Sequence, residues 1–298
     1  MKSSNLHPLI SGANGLLGQY LCMTLSRREF TPVATGRRLP DSKIDTPFVV
    51  SDLGVPGVTD MELKDVEADS IIHCAAKIKG HDIMSFTRDN VSATINLAKL
   101  AKQKGIKKFI FISTVSVYDG EGPFTENSKK CLDDLYANSK LEAEKSLEPL
   151  SDADFRVISL RLAGLHGGTR KGGVVDNMIN NARENIPIKI SEPDSKLSFT
   201  FLEDVADAIQ KLLTMNWPSV YATYNFACPD TLTLGQMATQ ILELTGSRVE
   251  PVTGTDLPRN RIMDVSKIES DFNISGDPIH QHIHKMVTRA RRTESTGI

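Results

Sequence analysis

Short apolar runs alternate with longer segments of helical periodicity through the first half of the chain. The runs have the length and aliphatic character of buried strands, and they are Leu6–Ser11, Thr31–Thr35, Phe48–Val50, Ser70–Cys74, Lys107–Ser113 and Phe155–Leu160. Between them, helical spacing of apolar residues predicts helices at Leu16–Arg27 and Ile83–Lys104. Because such alternation favours βαβ units, we predict an α/β fold with a Rossmann-type doubly wound parallel sheet, covered by helices on both faces.

The pattern loosens after Arg161, where a glycine-rich loop, Gly164–Gly173, begins the second half. The segments predicted after it are a helix at Val174–Arg183, an apolar stretch at Ile186–Ile190, a helix at Glu203–Thr214, a strand at Tyr221–Ala227 and a helix at Thr233–Thr245. We predict two domains, residues 1–161 and residues 162–298. The second is expected to be a smaller α/β lobe that interleaves with the first at the sheet edge and closes a cleft, with a frayed polar tail at Thr288–Ile298.

Composition and charge exclude several classes of protein. The chain has 298 residues, of which 40% are hydrophobic and 24% charged, and its formal net charge is −2. This balance gives no reason to expect a nucleic acid or an anionic membrane as partner. No apolar run approaches the roughly 18 residues that a membrane span needs. The N-terminus shows no separate apolar segment with a cleavage site, so no secretory signal is predicted.

Neither the cysteines nor the histidines have the spacing of a metal site. The cysteines lie far apart in sequence, at Cys22, Cys74, Cys131 and Cys228. Without a C-x-x-C pair, they favour reduced thiols in the cytoplasm over disulfides or zinc. His280, His282 and His284 alternate on an expected helix, where residues two apart point in different directions. We therefore predict a cytoplasmic protein with no metal ion.

The strongest local motif is a glycine turn between the first strand and the first helix, with the sequence Gly12-Ala13-Asn14-Gly15-Leu16-Leu17-Gly18. Glycine permits a tight turn and a close approach of backbone to a pyrophosphate, and the helix N-terminus offers unpaired N–H groups. The spacing is G-x-x-G-x-x-G rather than G-x-G-x-x-G. The flanking strand and helix nevertheless favour dinucleotide binding by residues 1–161.

The second strand is followed by Gly36-Arg37-Arg38. A site that prefers NAD usually has Asp or Glu at this point, to accept a hydrogen bond from the ribose 2′-hydroxyl. A guanidinium instead pairs with a 2′-phosphate. Arg37 therefore favours NADP(H), with NAD(H) as the alternative cofactor, although two solvated arginines after a loop would give the same sequence.

Tyr136 and Lys140 are spaced as i and i+4 at the start of a predicted helix, so the phenol and the ammonium share one face. A free tyrosine has a pKa of about 10. A neighbouring ammonium, together with an oxidised nicotinamide, favours the phenolate and lowers that pKa. Tyr136 is then suited to exchange a proton with a carbonyl or alcohol oxygen during hydride transfer.

A cluster of hydroxyls follows the buried strand at Lys107–Ser113. Open α/β sheets bind their ligands at the carboxyl ends of the strands. We expect Thr114 to hydrogen-bond the reacting oxygen and stabilise its developing charge, with Ser113 and Ser116 as alternatives. A strand-end hydroxyl that only caps the next loop is the structural alternative.

With the glycine turn, the hydroxyl-bearing strand and the Tyr/Lys helix in this order, the chain closely resembles the extended short-chain dehydrogenase/reductase family over nearly its whole length. Further matching segments are Ile71–Ala76, Leu160–Gly167 and Phe199–Ala206. The resemblance implies a catalytic triad of Thr114, Tyr136 and Lys140. Together with the motifs, it implies a cofactor site made of Gly12, Asn14, Gly15, Leu16, Leu17, Gly18, Arg37, Asp52, Leu53, Ala75, Ala76, Lys77, Asn90, Ser113, Tyr136, Lys140 and Leu162.

Two segments depart from the family's pattern. The usual Pro and Tyr of L-R-P-x-x-x-Y-G are Leu162 and His166, and the arginine that often grips a nucleotide diphosphate is replaced by Lys196-Leu197. The basic residues that remain for a diphosphate, each equally consistent with a free surface charge, are Arg170, Lys171, Arg259 and Arg261.

The resemblance and Arg37 together favour an NADPH-dependent reductase of a 4-keto nucleotide sugar, of the kind used to make deoxysugars for surface polysaccharides. Dehydratases of the family usually have Asp-Glu after the catalytic Thr, where this chain has Val115-Ser116. The alternatives are a nucleotide-sugar 4-epimerase that retains NAD, a reductase of a non-nucleotide aldehyde or ketone, and a non-catalytic NADP(H)-binding sensor. Because family members often dimerise through the helices that contain Ile83–Lys104 and Tyr136, a homodimer is also expected.

Overall fold

The computed structural model describes residues 6–41, 45–168 and 172–295, with side chains as far as Arg289. The chain falls into two compact units. The first comprises Met1–Asp119, Ser128–Leu162 and Ala206–Asn225, and the second comprises Gly120–Asn127, Ala163–Val205 and Phe226–Ile298.

A seven-stranded sheet is the centre of the first unit. Its strands are β1 (Pro8–Ser11), β2 (Val33–Gly36), β3 (Phe48–Val50), β4 (Ser70–His73), β5 (Lys108–Thr114), β6 (Arg156–Leu162) and the eleventh strand along the chain, β11 (Tyr221–Phe226), in the order β11-β6-β5-β4-β1-β2-β3. Every pair from β6 across to β3 is parallel. The predicted fold class is confirmed. The strand order reverses at β1, which lies between β4 and β2, and ligands of such sheets bind at this reversal.

The helices of the first unit include one interruption that the apolar pattern does not reveal. They are α1 (Leu16–Ser26), α2 (Val58–Glu62), α3 (Ile83–Phe86), α4 (Ala93–Gln103) and α5 (Leu135–Leu147). The helix predicted at Ile83–Lys104 is broken, because a π-helical turn at Thr87–Ser92 separates α3 from α4. Such turns often mark functional sites. This one contains the buried Asn90.

The core of the first unit lies between the sheet and the helices α4 and α5. The predicted apolar face of α4 contributes Leu97, Leu100 and Ala101, which are buried together with Ile71 of β4 and Phe109 of β5. These contacts fix the backbone of α5 and β5, which carry the predicted catalytic residues.

The second unit is built from short strands and longer helices. Its strands form three parallel pairs, β7 (Gly164–His166) with β10 (Phe199–Phe201), β8 (Lys189–Ile190) with β12 (Val252–Thr253), and β9 (Lys196–Leu197) with β13 (Asn260–Arg261). Its helices are α6 (Val174–Arg183), α8 (Leu234–Thr245), α9 (Ser266–Phe272) and α10 (Ile279–Ser295). Thr233 is the N-cap of α8, since its hydroxyl accepts from the N–H of Gln236 in a capping box.

Helix α7 (Leu202–Thr214) and strand β11 follow Arg161 in sequence, but β11 is hydrogen-bonded beside β6 in the large sheet. The N–H of Val157 donates to the carbonyl of Val220 at 2.8 Å. The apolar pattern of β11 does not indicate which sheet the strand joins, so the sequence alone did not place β11 in the seven-stranded sheet. Among the helices that the structure describes, none is both long enough and apolar enough to span a bilayer.

Candidate active site

The glycine turn after β1 has the geometry expected of a phosphate-binding loop. Gly12 has φ of +69°, and a Cβ there would lie 2.5 Å from the backbone nitrogen of Ala75. A Cβ at Gly18 would lie 2.8 Å from Cα of Ala13. The N-cap Gly15 makes no side-chain capping bond, and the first turn of α1 contains no acidic residue. Unpaired N–H groups and a positive helix dipole therefore face the region beyond β1.

Several buried polar atoms near the carboxyl ends of the strands lack a hydrogen-bond partner within the described residues. They are Oδ1 of Asn14, Oγ1 of Thr35, Oγ of Ser51 and Oγ of Ser113. Buried polar atoms without partners are rare, and a ligand with many acceptors and donors is one explanation for a group of them. Together with the glycine turn, they fit a dinucleotide. Asn14 and Ser113 belong to the predicted cofactor set.

Arg37 lies directly after β2, as predicted, and is part of a chain of charges. Its Nη1 is 3.1 Å from Oδ2 of Asp89, and Nη1 of Arg88 is 2.6 Å from the other oxygen of that carboxylate. Arg88 also pairs with Asp52. The next residue, Arg38, pairs with Asp41 on its own loop at 2.9 Å. The sequence did not reveal Asp89, because the contact joins residues 52 positions apart.

Asp52 and Leu53, two of the predicted cofactor contacts, differ in burial. Oδ1 of Asp52 accepts from the N–H of Gly54 at 3.1 Å, whereas the side chain of Leu53 is 5% exposed and belongs to the core. The carbonyl of Leu53 accepts from Asn96 of α4 at 2.8 Å. Both residues stay predicted cofactor contacts.

Asn90 joins the segment after β4 to helix α5. Its Oδ1 accepts from the N–H of Lys77 at 2.7 Å, and its Nδ2 donates to the carbonyl of Lys77 at 2.9 Å and to Oγ of Ser139 at 2.8 Å. The predicted cofactor residues Ala75 and Ala76 immediately precede Lys77. Through Asn90, the π-turn thus holds the segment after β4 next to Ser139 of α5. Ser139 lies between Tyr136 and Lys140 in sequence.

A buried histidine of the family-like segment Ile71–Ala76, to which the sequence assigned no separate role, extends this arrangement to β1. His73 contacts Oγ of Ser11 at 2.5 Å and Oγ1 of Thr94 at 3.0 Å, and Thr94 donates to the carbonyl of Asn90 at 2.6 Å. Burial lowers the pKa of His73 to about 3, so the imidazole is neutral. Since Thr94 uses its proton on Asn90, Nε2 of His73 donates and Nδ1 accepts from Ser11.

Thr114 and Tyr136 are brought together, as predicted. A hydrogen bond from Thr114 favours the phenolate of Tyr136, and Thr114 also bonds with the N–H of Ser116 at 3.2 Å. Burial nevertheless raises the pKa of Tyr136 above its ordinary value, and Asp134 acts in the same direction. The direction is opposite to the one expected from Lys140, because burial of the phenolate has the largest effect and Lys140 is not among the groups that shift this pKa. Ser113 is buried beside Thr114, and Ser116 is half-buried.

Lys140 is an almost fully buried lysine, 2% exposed, one helical turn after Tyr136. Its ammonium lies 3.8 Å from the centre of the Phe111 ring, a close cation–π contact. Burial lowers the pKa of Lys140 to about 7, and Glu144 opposes that shift. The group therefore gains or loses its charge near neutral pH, as suits a residue that tunes a proton-transfer site.

A second buried group of charges lies one further turn along α5. Arg161 donates to Glu144 through two nitrogens, at 3.0 and 2.6 Å, and both side chains are at most 4% exposed. Arg161 also donates to the hydroxyl of Tyr118 at 2.9 Å, and Tyr118 donates to Asn225 at 2.6 Å. The i+4 spacing of Lys140 and Glu144 is visible in the sequence, but the burial of the pair is not.

Four basic residues are predicted for a diphosphate, and the structure describes two of them, both in the second unit. Arg170 and Lys171 fall outside the described residues. Nε of Arg259 is 2.6 Å from Glu192, and Arg261 donates to the carbonyl of Gly120 at 3.2 Å. Leu162, the predicted cofactor contact at the end of β6, is buried.

The three C-terminal histidines diverge in the structure. His280 and His284 are exposed, whereas His282 is buried and hydrogen-bonded to Asp204 at 2.7 Å. Ligand atoms of Asp204, Cys228 and His282 lie within 4.8 Å of one another. Burial raises the pKa of the Cys228 thiol well above its usual range, and Asp204 already accepts from His282 and from the N–H of Asp277. The carboxylate of Asp204 is therefore already hydrogen-bonded by groups of the protein.

A glycine turn at the reversal of a parallel sheet, with Thr, Tyr and Lys at the ends of neighbouring elements, defines an NAD(P)-dependent enzyme on a Rossmann fold. The family model for the NAD dependent epimerase/dehydratase family matches residues 8–226, and the chain belongs to this family. The predicted resemblance to the extended short-chain dehydrogenase/reductases is thereby confirmed.

Two groups of curated relatives are similar to the chain. The UDP-glucose 4-epimerase of Vibrio cholerae is 30% identical over 215 residues, which cover 67% of this chain and 64% of that protein. The chain thus spans about 64% of the length of this relative. The methionine adenosyltransferase 2 subunit beta of Rattus norvegicus is 27% identical over 280 residues, which cover 88% of this chain and 81% of that protein.

Solved structures share the fold over almost the whole chain. The UDP-glucose 4-epimerase of Thermotoga maritima, solved with UDP-glucose, superposes with a TM-score of 0.83 at 19% identity and covers 97% of this chain and 100% of its own. The enzyme WbmG of Bordetella bronchiseptica, solved with NAD and UDP, has a TM-score of 0.82 at 20% identity and covers 98% of this chain and 96% of its own.

Proposed function

We propose that the protein is an NADPH-dependent reductase of a 4-keto nucleotide sugar. The observation that carries the proposal is the placement of Thr114, Tyr136 and Lys140 in the first unit, with Thr114 hydrogen-bonded to Tyr136 and Lys140 buried one turn further on. A protein that only binds a dinucleotide has no need for a costly buried lysine one helical turn after a tyrosine that is hydrogen-bonded to a threonine. Arg37, which directly follows β2, favours NADP(H), and NADPH is the cofactor that a net reduction usually consumes.

The chain's own residues supply the proton chemistry of this reaction. NADPH, when bound, supplies the hydride to the carbonyl carbon. Tyr136 donates its phenolic proton to the carbonyl oxygen, and Thr114 hydrogen-bonds the same oxygen as negative charge develops on it. The Lys140 ammonium stabilises the phenolate that remains. The raised pKa of Tyr136 keeps the phenol protonated and ready to donate.

The family and the solved relatives support a nucleotide as part of the substrate. The solved relatives named above contain UDP-glucose or UDP. We infer a nucleotide sugar as substrate and place the reaction in the cytoplasm, where the four free cysteines stay reduced.

A nucleotide-sugar 4-epimerase is the second candidate function, favoured by the relative in Vibrio cholerae. The same triad then acts twice on a cofactor that stays bound. Purified protein that contains one equivalent of NAD⁺ and turns over without net consumption of cofactor would establish the epimerase instead.

The proposal is tested by following NADPH oxidation against a panel of 4-keto nucleotide sugars, with NADH alongside. We expect steady oxidation of NADPH with at least one member of the panel, one equivalent per alcohol formed. Reduction only of simple aldehydes or ketones, or interconversion of UDP-sugars without NADPH oxidation, would overturn it.

A further inference from the structure

The carboxylate of Asp89 lies beside the guanidinium of Arg37, the residue predicted to face the 2′-position of the cofactor. Arg37 is 62% exposed, but Asp89 is only 11% exposed, and both of its oxygens accept from arginines, at 3.1 Å from Arg37 and 2.6 Å from Arg88. Any ligand group that binds the Arg37 guanidinium therefore also lies close to the carboxylate of Asp89, because only the guanidinium separates the two. Sequence rules for cofactor choice examine only the end of β2 and miss this residue.

The position of Asp89 is fixed by the fold. It belongs to the π-turn at Thr87–Ser92 and precedes Asn90, which is buried and bonded to the backbone of Lys77. Arg88, on the other side, is tied to Asp52. Both sequence neighbours of Asp89 are therefore anchored. Moving the Asp89 carboxylate away from an arriving ligand would break these contacts and cost free energy.

The charges of this cluster cancel. Arg37 and Arg88 contribute two positive charges, and Asp52 and Asp89 contribute two negative charges. A 2′-phosphate brought to Arg37 is attracted by one guanidinium and repelled by the adjacent carboxylate. A ribose 2′-hydroxyl, by contrast, can donate to that carboxylate, as it does to the Asp or Glu of sites that prefer NAD.

We propose that Asp89 is a cofactor-selecting residue, which supplies from the π-turn the carboxylate that is missing at the end of β2. Arg37 favours the 2′-phosphate of NADP(H), Asp89 favours the 2′-hydroxyl of NAD(H), and the carboxylate reduces the preference for NADP(H) that Arg37 alone would give. This inference rests on the proposed function in one respect, that Arg37 faces the 2′-position of the adenine ribose.

The test is a set of dissociation constants for NADPH and NADH, measured by calorimetry on protein freed of bound nucleotide. Asp89→Asn keeps the shape of the side chain and removes its charge. We expect it to bind NADPH about tenfold more tightly and NADH two- to fivefold more weakly, from the loss of one repulsive charge near the phosphate. Asp89→Ser, which also removes the contact with Arg37, should shift the ratio in the same direction.

Two controls make the result specific. Asp41→Asn removes the partner of the neighbouring Arg38 and should change neither constant by more than about twofold, as for an exposed ion pair. Arg37→Ala should weaken NADPH far more than NADH, and in that background Asp89→Asn should still shift the ratio of the two constants towards NADPH, because the repulsion by the carboxylate does not depend on Arg37.

The outcomes separate this inference from the proposed function. If the wild-type protein binds both nucleotides and Arg37→Ala loses NADPH selectively, but Asp89→Asn leaves the NADPH/NADH ratio unchanged or weakens NADPH, the role of Asp89 is wrong and the cofactor assignment stands. If Arg37→Ala weakens both nucleotides equally, the assignment of Arg37 fails and this inference fails with it. Neither result depends on turnover of a sugar.

Discussion

Lys140 combines features that a lysine rarely has. It is 2% exposed, its ammonium lies 3.8 Å from the centre of the Phe111 ring, and the nearby carboxylate of Glu144 is shared with Arg161. The sequence predicted Lys140 from its spacing with Tyr136. It did not predict that burial would dominate the pKa of both residues, because burial depends on which aromatic ring β5 places beneath α5.

The burial of Lys140 predicts a pH-dependent cost in stability. The folded pKa is about 7 and the ordinary value is 10.5, so between those values the unfolded chain binds a proton that the folded chain does not. Wild-type stability therefore falls as the pH is lowered from 10.5 to 7 and changes no further below 7 through this group. Lys140→Met should be more stable by about 5 kcal/mol at pH 6, with the difference shrinking towards pH 10.

Urea unfolding at pH 6, 8 and 10 measures this difference. Lys145→Met, on the exposed side of the same helix, should show no pH-dependent change, since Lys145 is 58% exposed. Two results would show that the buried Lys140 charge does not lower the free energy of unfolding of the wild-type protein. One is a Lys140→Met variant that is less stable than wild type at pH 6, and the other is a stability difference that is the same at all three pH values.

At the scale of elements, helix α5 is positioned by charge as well as by apolar packing. Glu144 and Arg161 join α5 to β6 through two hydrogen bonds within the buried part of the first unit. Motifs predicted the helix, the glycine turn and strand β5, because each has a strong local pattern. The π-turn was not predictable, since one inserted residue leaves the apolar spacing of Ile83–Lys104 almost unchanged. The same is true of β8, β9, β12 and β13, which are too short to have a period.

Breaking the buried pair should loosen α5. Glu144→Gln leaves Arg161 buried without a counter-ion, and we expect a loss of about 3–5 kcal/mol in the free energy of unfolding. Glu142→Gln is the matched control on the same helix, because its pair with Lys145 is exposed and should contribute at most about 1 kcal/mol. Equal losses for the two variants in urea unfolding would show that the Glu144–Arg161 pair does not hold the helix.

At the scale of the whole molecule, the parallel sheet brings together residues that are distant in sequence. The strand reversal at β1 places the glycine turn, Thr35 of β2 and the segment after β4 at one edge, where the unpartnered atoms also lie. The alternation of strands and helices predicted this sheet, and the comparisons confirm the family. The choice of sugar depends on side chains without a local pattern, and the homodimer stays a prediction.

The phenol of Tyr136 is expected to give its proton to the substrate as hydride arrives, and the Tyr136→Phe variant removes that proton and little else. NADPH binding and single-turnover reduction of the active 4-keto nucleotide sugar should be measured on the same preparation. We predict an affinity for NADPH within about twofold of wild type and a rate lower by about 10²- to 10⁴-fold. A rate that stays within about threefold of wild type, with NADPH bound, would show that Tyr136 is not the proton donor.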